Sequence, residues 1–121
     1  LVINFVKNNA RVSPYFIILL LWYPAFENFF SIIRRKVFNK KNASVADNQH
    51  LHQLILIKVR NVFPNNKLNN TISGNLIVLF NAIPFYFGLK YYQSTQILSF
   101  IIYFNILVYV IIYFNLKKTH K

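Results

Sequence analysis

The chain has 121 residues, of which 55% are hydrophobic and 13% are charged, and its formal net charge is +12. Soluble domains usually contain about 25% charged residues, and a domain of this length has too much surface for its volume to hide so much apolar area. The composition therefore excludes an ordinary soluble domain and favours a membrane protein, while the absence of cysteine excludes a disulfide scaffold and a cysteine nucleophile.

The chain also lacks methionine and begins with the residues LVINF. Removal of an initiator methionine normally requires a small second residue, and Leu1 is large. We therefore expect the chain to be a piece of a longer protein, whose upstream part contributes further residues to any site.

The first apolar segment, residues 14–33, is predicted to span a membrane as a helix. Its length is close to the roughly 20 residues that a helix needs to cross a bilayer. Ser13 and Pro14 suit its start, since serine caps helices and proline fits the first turn. Pro24 is predicted to kink the helix, which membrane helices tolerate.

This first segment also contains Glu27, one of only two acidic residues in the chain. An ionisable residue inside a span is costly and is usually functional or paired. Arg34 and Arg35 lie too far along the helix for an i, i+4 pair with it. We therefore expect the partner of Glu27 on another helix, or a polar cavity around its carboxyl group.

The connection over residues 34–70 is predicted to be a polar loop that contains a short amphipathic helix. The helical pattern starts at Asp47, and Asp47 or Ser44 is expected to cap the helix. The apolar residues that share one face at helical spacing are Leu51, Leu54, Ile55 and Val59. We expect this helix to lie along the cytoplasmic surface of the membrane.

Two further apolar segments follow, over residues 72–89 and 97–116, and the second of them contains no charged residue. Pro84 lies inside the former and is also predicted to kink its helix. In the latter, polar residues recur among aliphatic ones, and we expect them to pack against neighbouring helices: Tyr103, Asn105, Tyr109, Tyr113 and Asn115. The predicted fold class is all-α, a polytopic membrane protein with three transmembrane helices, in which residues 1–121 form part of one integral-membrane domain.

Positive charge is concentrated on one side of this topology. The basic residues of the loop and the C-terminal tail are Arg34, Arg35, Lys36, Lys40, Lys41, Lys58, Arg60, Lys67, Lys117, Lys118 and Lys121. The opposite side has Lys7, Arg11 and Lys90. Because positive charge favours the cytoplasm, we expect the loop and the C-terminus to be cytoplasmic. The same rule accounts for the net charge, so no nucleic-acid partner is expected.

The polar loop gathers most of the other titratable groups, namely Asp47, His50 and His52. On a helix the two histidines would point apart, whereas in an extended segment they would share a face. Zinc needs three or four ligands, so we assign no metal ligand in this chain. Two interpretations stay open: histidines that bind phosphate or move a proton, or a solvated polar loop.

Two stretches together resemble a known family: YPAFENFFSIIRRKVF at residues 23–38 and ADNQHLHQLIL at residues 46–56. They are similar to the polyprenyl-phosphate N-acetylhexosamine-1-phosphate transferases, glycosyltransferase family 4. These membrane enzymes initiate bacterial cell-envelope glycans and include the phospho-MurNAc-pentapeptide translocase. The resemblance extends from about Asn9 to the end of the loop, and two spans of the expected kind follow.

The resemblance implies an inner-membrane enzyme that transfers a sugar 1-phosphate, expected to be GlcNAc 1-phosphate, from a UDP-sugar to undecaprenyl phosphate. The family uses Mg²⁺, whose ligands are expected in the upstream part. The catalytic residues implied are His50 and His52, and the substrate-binding residues are Asp47, Arg34, Arg35, Gln53 and Glu27. Gln53 stands where the family motif has a further histidine.

The isolated chain is expected to be inactive, because the aspartate-rich motifs of the family have no counterpart in it. The expected partners are the UDP-sugar, the polyprenyl phosphate and the membrane, with a homodimer left open. The alternative is a non-catalytic three-span membrane protein or a decayed remnant of the transferase, for which hydropathy and charge placement are sufficient.

Overall fold

The computed structural model describes residues 12–37 and 49–118. This part of the chain forms four helices, which are α1 (Pro14–Val37), α2 (Leu51–Val62), α3 (Asn69–Lys90) and α4 (Thr95–Lys118). The predicted all-α fold class is confirmed, and each predicted span lies within a longer helix. By length and composition, α1, α3 and α4 are able to cross a membrane, as in a multi-pass membrane protein.

Most apolar side chains of the three long helices are exposed on the outside of the described structure. Within the best spanning windows, 28% of α1, 17% of α3 and 28% of α4 is buried inside the described structure. Large apolar side chains such as Leu21, Val78 and Phe100 are exposed. Water would not accept such a surface, whereas lipid chains would, so this outer surface fits a helix bundle surrounded by a bilayer.

The start of α1 follows the sequence signals. The Ser13 hydroxyl accepts a hydrogen bond from the Tyr15 N–H at 3.3 Å, as an N-cap residue does. Pro24 and Pro84 lie inside α1 and α3, so both helices continue through their prolines. The kinks expected at these positions remain predictions.

An aromatic core joins α1 to α4. The ring of Phe26 meets that of Tyr109 edge-on with centroids 5.1 Å apart, and Phe30 meets Tyr113 in the same way at 4.9 Å. Edge-to-face pairs of this kind stabilise beyond the area they bury. The prediction that Tyr109 and Tyr113 pack against another helix is therefore confirmed.

The same prediction is wrong for Tyr103 among the described residues, whereas Asn105 is buried but satisfies its amide within its own helix. Tyr103 is 71% exposed, because it lies six residues before Tyr109 and so faces another side of the helix. The Asn105 side chain is buried, but its Nδ2 donates to the Ile101 carbonyl of its own helix at 2.8 Å. A side-chain amide that reaches the preceding turn needs no partner on a second helix.

The bundle has two distinct ends. At the turn end, where residues 91–94 connect α3 to α4, the Ser13 N–H donates to the Tyr92 carbonyl at 2.9 Å. The Ser13 and Thr95 hydroxyls are 2.8 Å apart. At the opposite end, here called the α2 end, the C-termini of α1 and α4 meet α2. Short turn and long connection thus lie at opposite ends, as the predicted topology requires.

The prediction for the start of the amphipathic helix was wrong. Asp47 and Ser44 lie outside the described residues, but α2 begins at Leu51, and His50 is its N-cap with extended backbone angles (φ −69°, ψ 153°). The Gln53 side chain accepts the His50 N–H at 3.1 Å, which favours a start at this point. The predicted inner face is confirmed by three buried residues, Leu51, Leu54 and Val59, and Ile55 packs against the core cluster.

Candidate functional site at the α2 end

Helix α1 carries a polar stripe along an otherwise apolar span. Glu27 and Ser31 are one turn apart, and Arg34 is three residues further on, so all three lie on the same side of the helix. All three are buried, with exposures of 6% for Glu27 and 1% for Arg34. A buried carboxylate and a buried guanidinium on one helix face must each be compensated by a partner.

The described partner of Glu27 is the N-terminus of α2. Its Oε1 atom accepts a hydrogen bond from the Leu51 N–H at 2.6 Å, and Leu51 is the first residue of α2. The N–H groups of a first helical turn have no intrahelical acceptors, and the helix dipole favours negative charge there. The expectation that Glu27 has its partner on another helix is confirmed. Its role in substrate binding remains a prediction.

The imidazole of His50 is held along one edge. Its Nδ1 atom lies 3.2 Å from the Ser31 Oγ and 3.4 Å from the Glu27 Oε1. The ring is partly exposed, and the backbone N–H of His50 is fixed by Gln53. The ring is therefore oriented by two side chains of α1, while its backbone is fixed by α2.

His52 lies beside His50 and is exposed. The two rings are stacked, with centroids 5.7 Å apart and planes 13° apart. They do not point apart as two residues inside a helix would, because His50 is an extended N-cap and only His52 is helical. The structure thus brings both predicted catalytic residues together on one side of the chain.

Arg34 of α1 binds both the segment before α2 and helix α4. One guanidinium nitrogen, Nη1, donates to the Gln49 carbonyl and to the Tyr113 hydroxyl. The guanidinium carbon also lies 5.3 Å from the centroid of the Tyr113 ring, within the range of cation–π attraction. Arg35 has a different environment, since it is half-buried and its Nε donates to the Ser31 carbonyl at 3.3 Å.

The sequence prediction missed Ser31 and the specific role of Tyr113. A signal for Ser31 exists in its spacing, since it lies i+4 from Glu27 and so one turn along the same face. No comparable signal identifies Tyr113 as the partner of Arg34, because the two are 79 residues apart and meet only in the folded chain. Asp47 lies outside the described residues.

The described residues do not fit a Mg²⁺ site. Within residues 12–37 and 49–118, no group of three or more His, Cys, Asp or Glu side chains is placed to hold a metal ion. Glu27 directs one carboxylate oxygen to a backbone amide, and a lone carboxylate beside an imidazole is not the oxygen-rich set that Mg²⁺ requires.

A comparison of the chain with models of known protein families, with curated proteins and with solved structures found no match. Function is therefore inferred from the residues and their placement. A pair of stacked histidines at the basic end of an apolar bundle is suited to binding an anion and to moving a proton.

Proposed function

We propose that the chain is part of a membrane enzyme that transfers a sugar 1-phosphate from a UDP-sugar to polyprenyl phosphate, as its resemblance to glycosyltransferase family 4 implies. An oxygen of the lipid phosphate attacks the phosphorus that carries the sugar. The bond from that phosphorus to the bridging oxygen breaks, and UMP leaves with that oxygen. The product is a lipid-linked sugar pyrophosphate.

The observation that carries this proposal is the stacked pair of His50 and His52. Phosphoryl transfer depends on positioning and on neutralising charge at phosphate oxygens. His50 is oriented on its Nδ1 edge by Glu27 and Ser31, and His52 is exposed beside it. Both can donate hydrogen bonds to a phosphate or exchange a proton with it.

The location of the pair supports the same proposal. The described basic residues at this end of the bundle are Arg34, Arg35, Lys36, Lys58, Arg60, Lys67, Lys117 and Lys118. They provide a positive potential for a diphosphate, and the apolar helices keep the site at the membrane where a lipid phosphate lies. With this end cytoplasmic, as the positive charge favours, the site faces the compartment that contains UDP-sugars.

In this proposal His50 and His52 act on the reacting phosphates, and Asp47, Arg34, Arg35, Gln53 and Glu27 make up the surrounding binding site. GlcNAc 1-phosphate is the proposed group, undecaprenyl phosphate the proposed acceptor and the inner membrane the proposed location. The Mg²⁺ used by the family would be held outside the residues described above.

A second candidate is a non-catalytic three-span membrane protein, or a remnant of the transferase. It is favoured because several site residues form hydrogen bonds with backbone groups of this same chain. Glu27 binds the Leu51 amide, Gln53 binds the His50 amide, and Arg34 binds the Gln49 carbonyl. These interactions stabilise the α2 end whether or not a substrate is present.

The test is release of UMP by the full-length protein from UDP-GlcNAc, with undecaprenyl phosphate and Mg²⁺ in detergent. We expect His52→Ala to lower kcat by about 100-fold or more, within the roughly 10²- to 10⁴-fold contribution of a positioned acid or base. His52 is exposed, so its removal leaves the fold intact. The matched control is Asn61→Ala, also exposed on α2, which should leave kcat unchanged.

Two results would contradict the proposal. Full activity of both His50→Ala and His52→Ala would remove the catalytic assignment. A full-length protein that inserts into membranes but releases no UMP from any UDP-N-acetylhexosamine would favour the non-catalytic alternative. The isolated 121-residue chain is expected to release none.

A further inference from the structure

Glu27 is buried in an apolar helix bundle, where the desolvation of a carboxylate costs free energy. Its side chain lies within a predicted span and is 6% exposed. Of its two oxygens, Oε1 accepts the Leu51 N–H, whereas Oε2 is buried without a hydrogen-bond partner among the described residues. Capping α2 would require only a neutral acceptor, so the cap alone does not account for an acid at this position.

The second neighbour of Oε1 is the imidazole of His50, with the Glu27 Oε1 and His50 Nδ1 atoms 3.4 Å apart. An ionised carboxylate is only an acceptor. It therefore favours a proton on Nδ1, and Ser31 Oγ, at 3.2 Å from the same atom, is able to accept as well. A neutral imidazole with its proton on Nδ1 has a lone pair on Nε2, so the other edge of the ring becomes a hydrogen-bond acceptor and a base.

We infer that Glu27 is a positioning residue, which holds His50 as the Nδ1–H tautomer so that Nε2 is the atom that takes a proton from a phosphate substrate and, once protonated, donates a hydrogen bond to it. The identity of that substrate rests on the proposed function, but the Glu27–His50 pair does not. Carboxylate–imidazole pairs elsewhere act in this way: the carboxylate fixes the tautomer and the ring orientation and stabilises the protonated form. Glu27 touches no reacting atom itself.

The same oxygen also connects this pair to the start of α2. Because Oε1 accepts the Leu51 N–H and lies 3.4 Å from the His50 Nδ1, the start of the helix and the orientation of the ring are set together. The other charged or titratable groups in the described cluster are Tyr23 and Arg34 of α1, His52 of α2, and Tyr109 and Tyr113 of α4. They stay unchanged when position 27 is substituted, so a change in His50 in those variants is attributable to position 27.

The chain offers a substitution that separates the two roles of Glu27. In Glu27→Gln, the side-chain amide oxygen still accepts the Leu51 N–H, but the negative charge that selects the tautomer is gone. In Glu27→Asp, the charge remains on a shorter side chain. In Ser31→Ala, the carboxylate remains and only the second neighbour of His50 Nδ1 is removed.

The experiment is ¹⁵N NMR of histidine-labelled full-length protein, with kcat and KM for UDP-GlcNAc measured on the same samples. In the unsubstituted protein we expect neutral His50 to be mainly the Nδ1–H tautomer. In Glu27→Gln we expect the Nε2–H form to predominate and kcat to fall at least about tenfold, a part of the roughly 10²- to 10⁴-fold effect of acid–base catalysis, with KM changed less than kcat. Glu27→Asp should restore part of the Nδ1–H population and part of kcat. Ser31→Ala should change the tautomer and kcat least of the three variants.

The outcomes are distinguishable. An unchanged tautomer in Glu27→Gln overturns the inference. If Glu27→Gln loses its helical circular dichroism, a complete change to the Nε2–H form in a folded Glu27→Asp, in which the charge remains, overturns it instead. A changed tautomer with unchanged kcat overturns the catalytic consequence. If the unsubstituted protein transfers no sugar phosphate, the proposed function fails, yet a tautomer change in Glu27→Gln would still support the Glu27–His50 pair.

Discussion

The two ends of the bundle hold α1 against α4 by different means. At the turn end the connection consists of a hydroxyl pair, Ser13 with Thr95, and a backbone hydrogen bond to Tyr92. At the α2 end the polar connection uses buried ions: Arg34 binds Tyr113 of α4, and Glu27 binds the first amide of α2, which packs between them. Removing two charges from water costs several kcal/mol each, and an apolar pair often joins helices equally well.

The difference indicates where function is to be sought. The turn end contains what is needed to close a helical hairpin, namely short polar groups that satisfy one another. The α2 end contains ionised groups whose burial is costly, and it places two histidines next to them, one of them exposed. Stability alone would favour the former arrangement at both ends, so the charges of the α2 end are consistent with the proposed function.

The largest expected effect on stability is that of Arg34→Ala. The substitution leaves the Gln49 carbonyl and the Tyr113 hydroxyl without their shared donor, and it removes the cation from the Tyr113 ring. A hydrogen bond to a charged group contributes about 1.5–3 kcal/mol, and this donor serves two acceptors. We expect the free energy of unfolding in mixed detergent micelles, followed by circular dichroism, to fall by about 3 kcal/mol.

The adjacent arginine provides the control. Arg35 is only half-buried and donates to a carbonyl of its own helix, so Arg35→Ala should cost less than about 1 kcal/mol, as for partly exposed polar contacts. Equal losses for the two substitutions would mean that burial at the α2 end does not set the strength of these contacts, and the comparison of the two ends would lose its basis.

An intermediate effect is expected near the turn end, from Gly88→Ala in α3. A methyl group at Gly88 would lie 2.5 Å from Leu19 Cδ2 and 3.6 Å from Phe16 Cε2 of α1. Leu19 is buried, so its side chain has little space in which to move. Overpacking of this kind costs about 1–3 kcal/mol, and we expect a loss of about 2 kcal/mol in the same unfolding assay.

Gly74, in the same helix, is the matched control for Gly88. A methyl group there meets no atom within 4 Å, and alanine has a higher helix propensity than glycine by about 1 kcal/mol. Gly74→Ala should therefore be neutral or stabilising. A destabilising Gly74→Ala together with a neutral Gly88→Ala would show that α1 and α3 do not pack as described.

The sequence was sufficient for the helices because their signals are local. For α1 the signals are an apolar run and the cap at Ser13, and for α4 they are an uncharged apolar run over residues 97–116. Such signals specify a long helix in any fold, and the structure extends each predicted span by a few residues. Inner and outer faces were also predictable for α2, where Leu51, Leu54 and Val59 recur at helical spacing.

The site was predictable only in part, because its contacts depend on which helices become neighbours. The spacing showed that Glu27 needs a partner beyond its own helix, but not that the partner is the Leu51 amide. That outcome follows because α2 starts at Leu51 and not near Asp47. The hydrogen bond from the His50 N–H to the Gln53 side chain favours this start. The spacing of apolar residues does not show which of several possible residues starts the helix.

The smallest expected effect tests the turn end directly, through Ser13→Ala. This substitution removes the hydroxyl that meets Thr95 at 2.8 Å and caps α1, but it keeps the backbone hydrogen bond from Ser13 to Tyr92. Loss of an N-cap hydroxyl typically costs about 1 kcal/mol, and we expect no more than that. Ser99→Ala is the control, because the Ser99 hydroxyl donates only to the Gln96 carbonyl of its own helix, and its loss should change stability by less than about 0.5 kcal/mol.

A double-mutant cycle with Thr95→Val isolates the hydroxyl pair from the cap. Groups in direct contact show coupling of about 0.5–3 kcal/mol, and a neutral pair at this end should lie near the lower limit. The Arg34–Tyr113 pair, measured in the same way with Tyr113→Phe, should show a larger coupling, because a charged donor strengthens the bond and burial excludes water from it. Equal couplings at the two ends would mean that the ions of the α2 end contribute no more than hydroxyls do, and a structural explanation for them would then be sufficient.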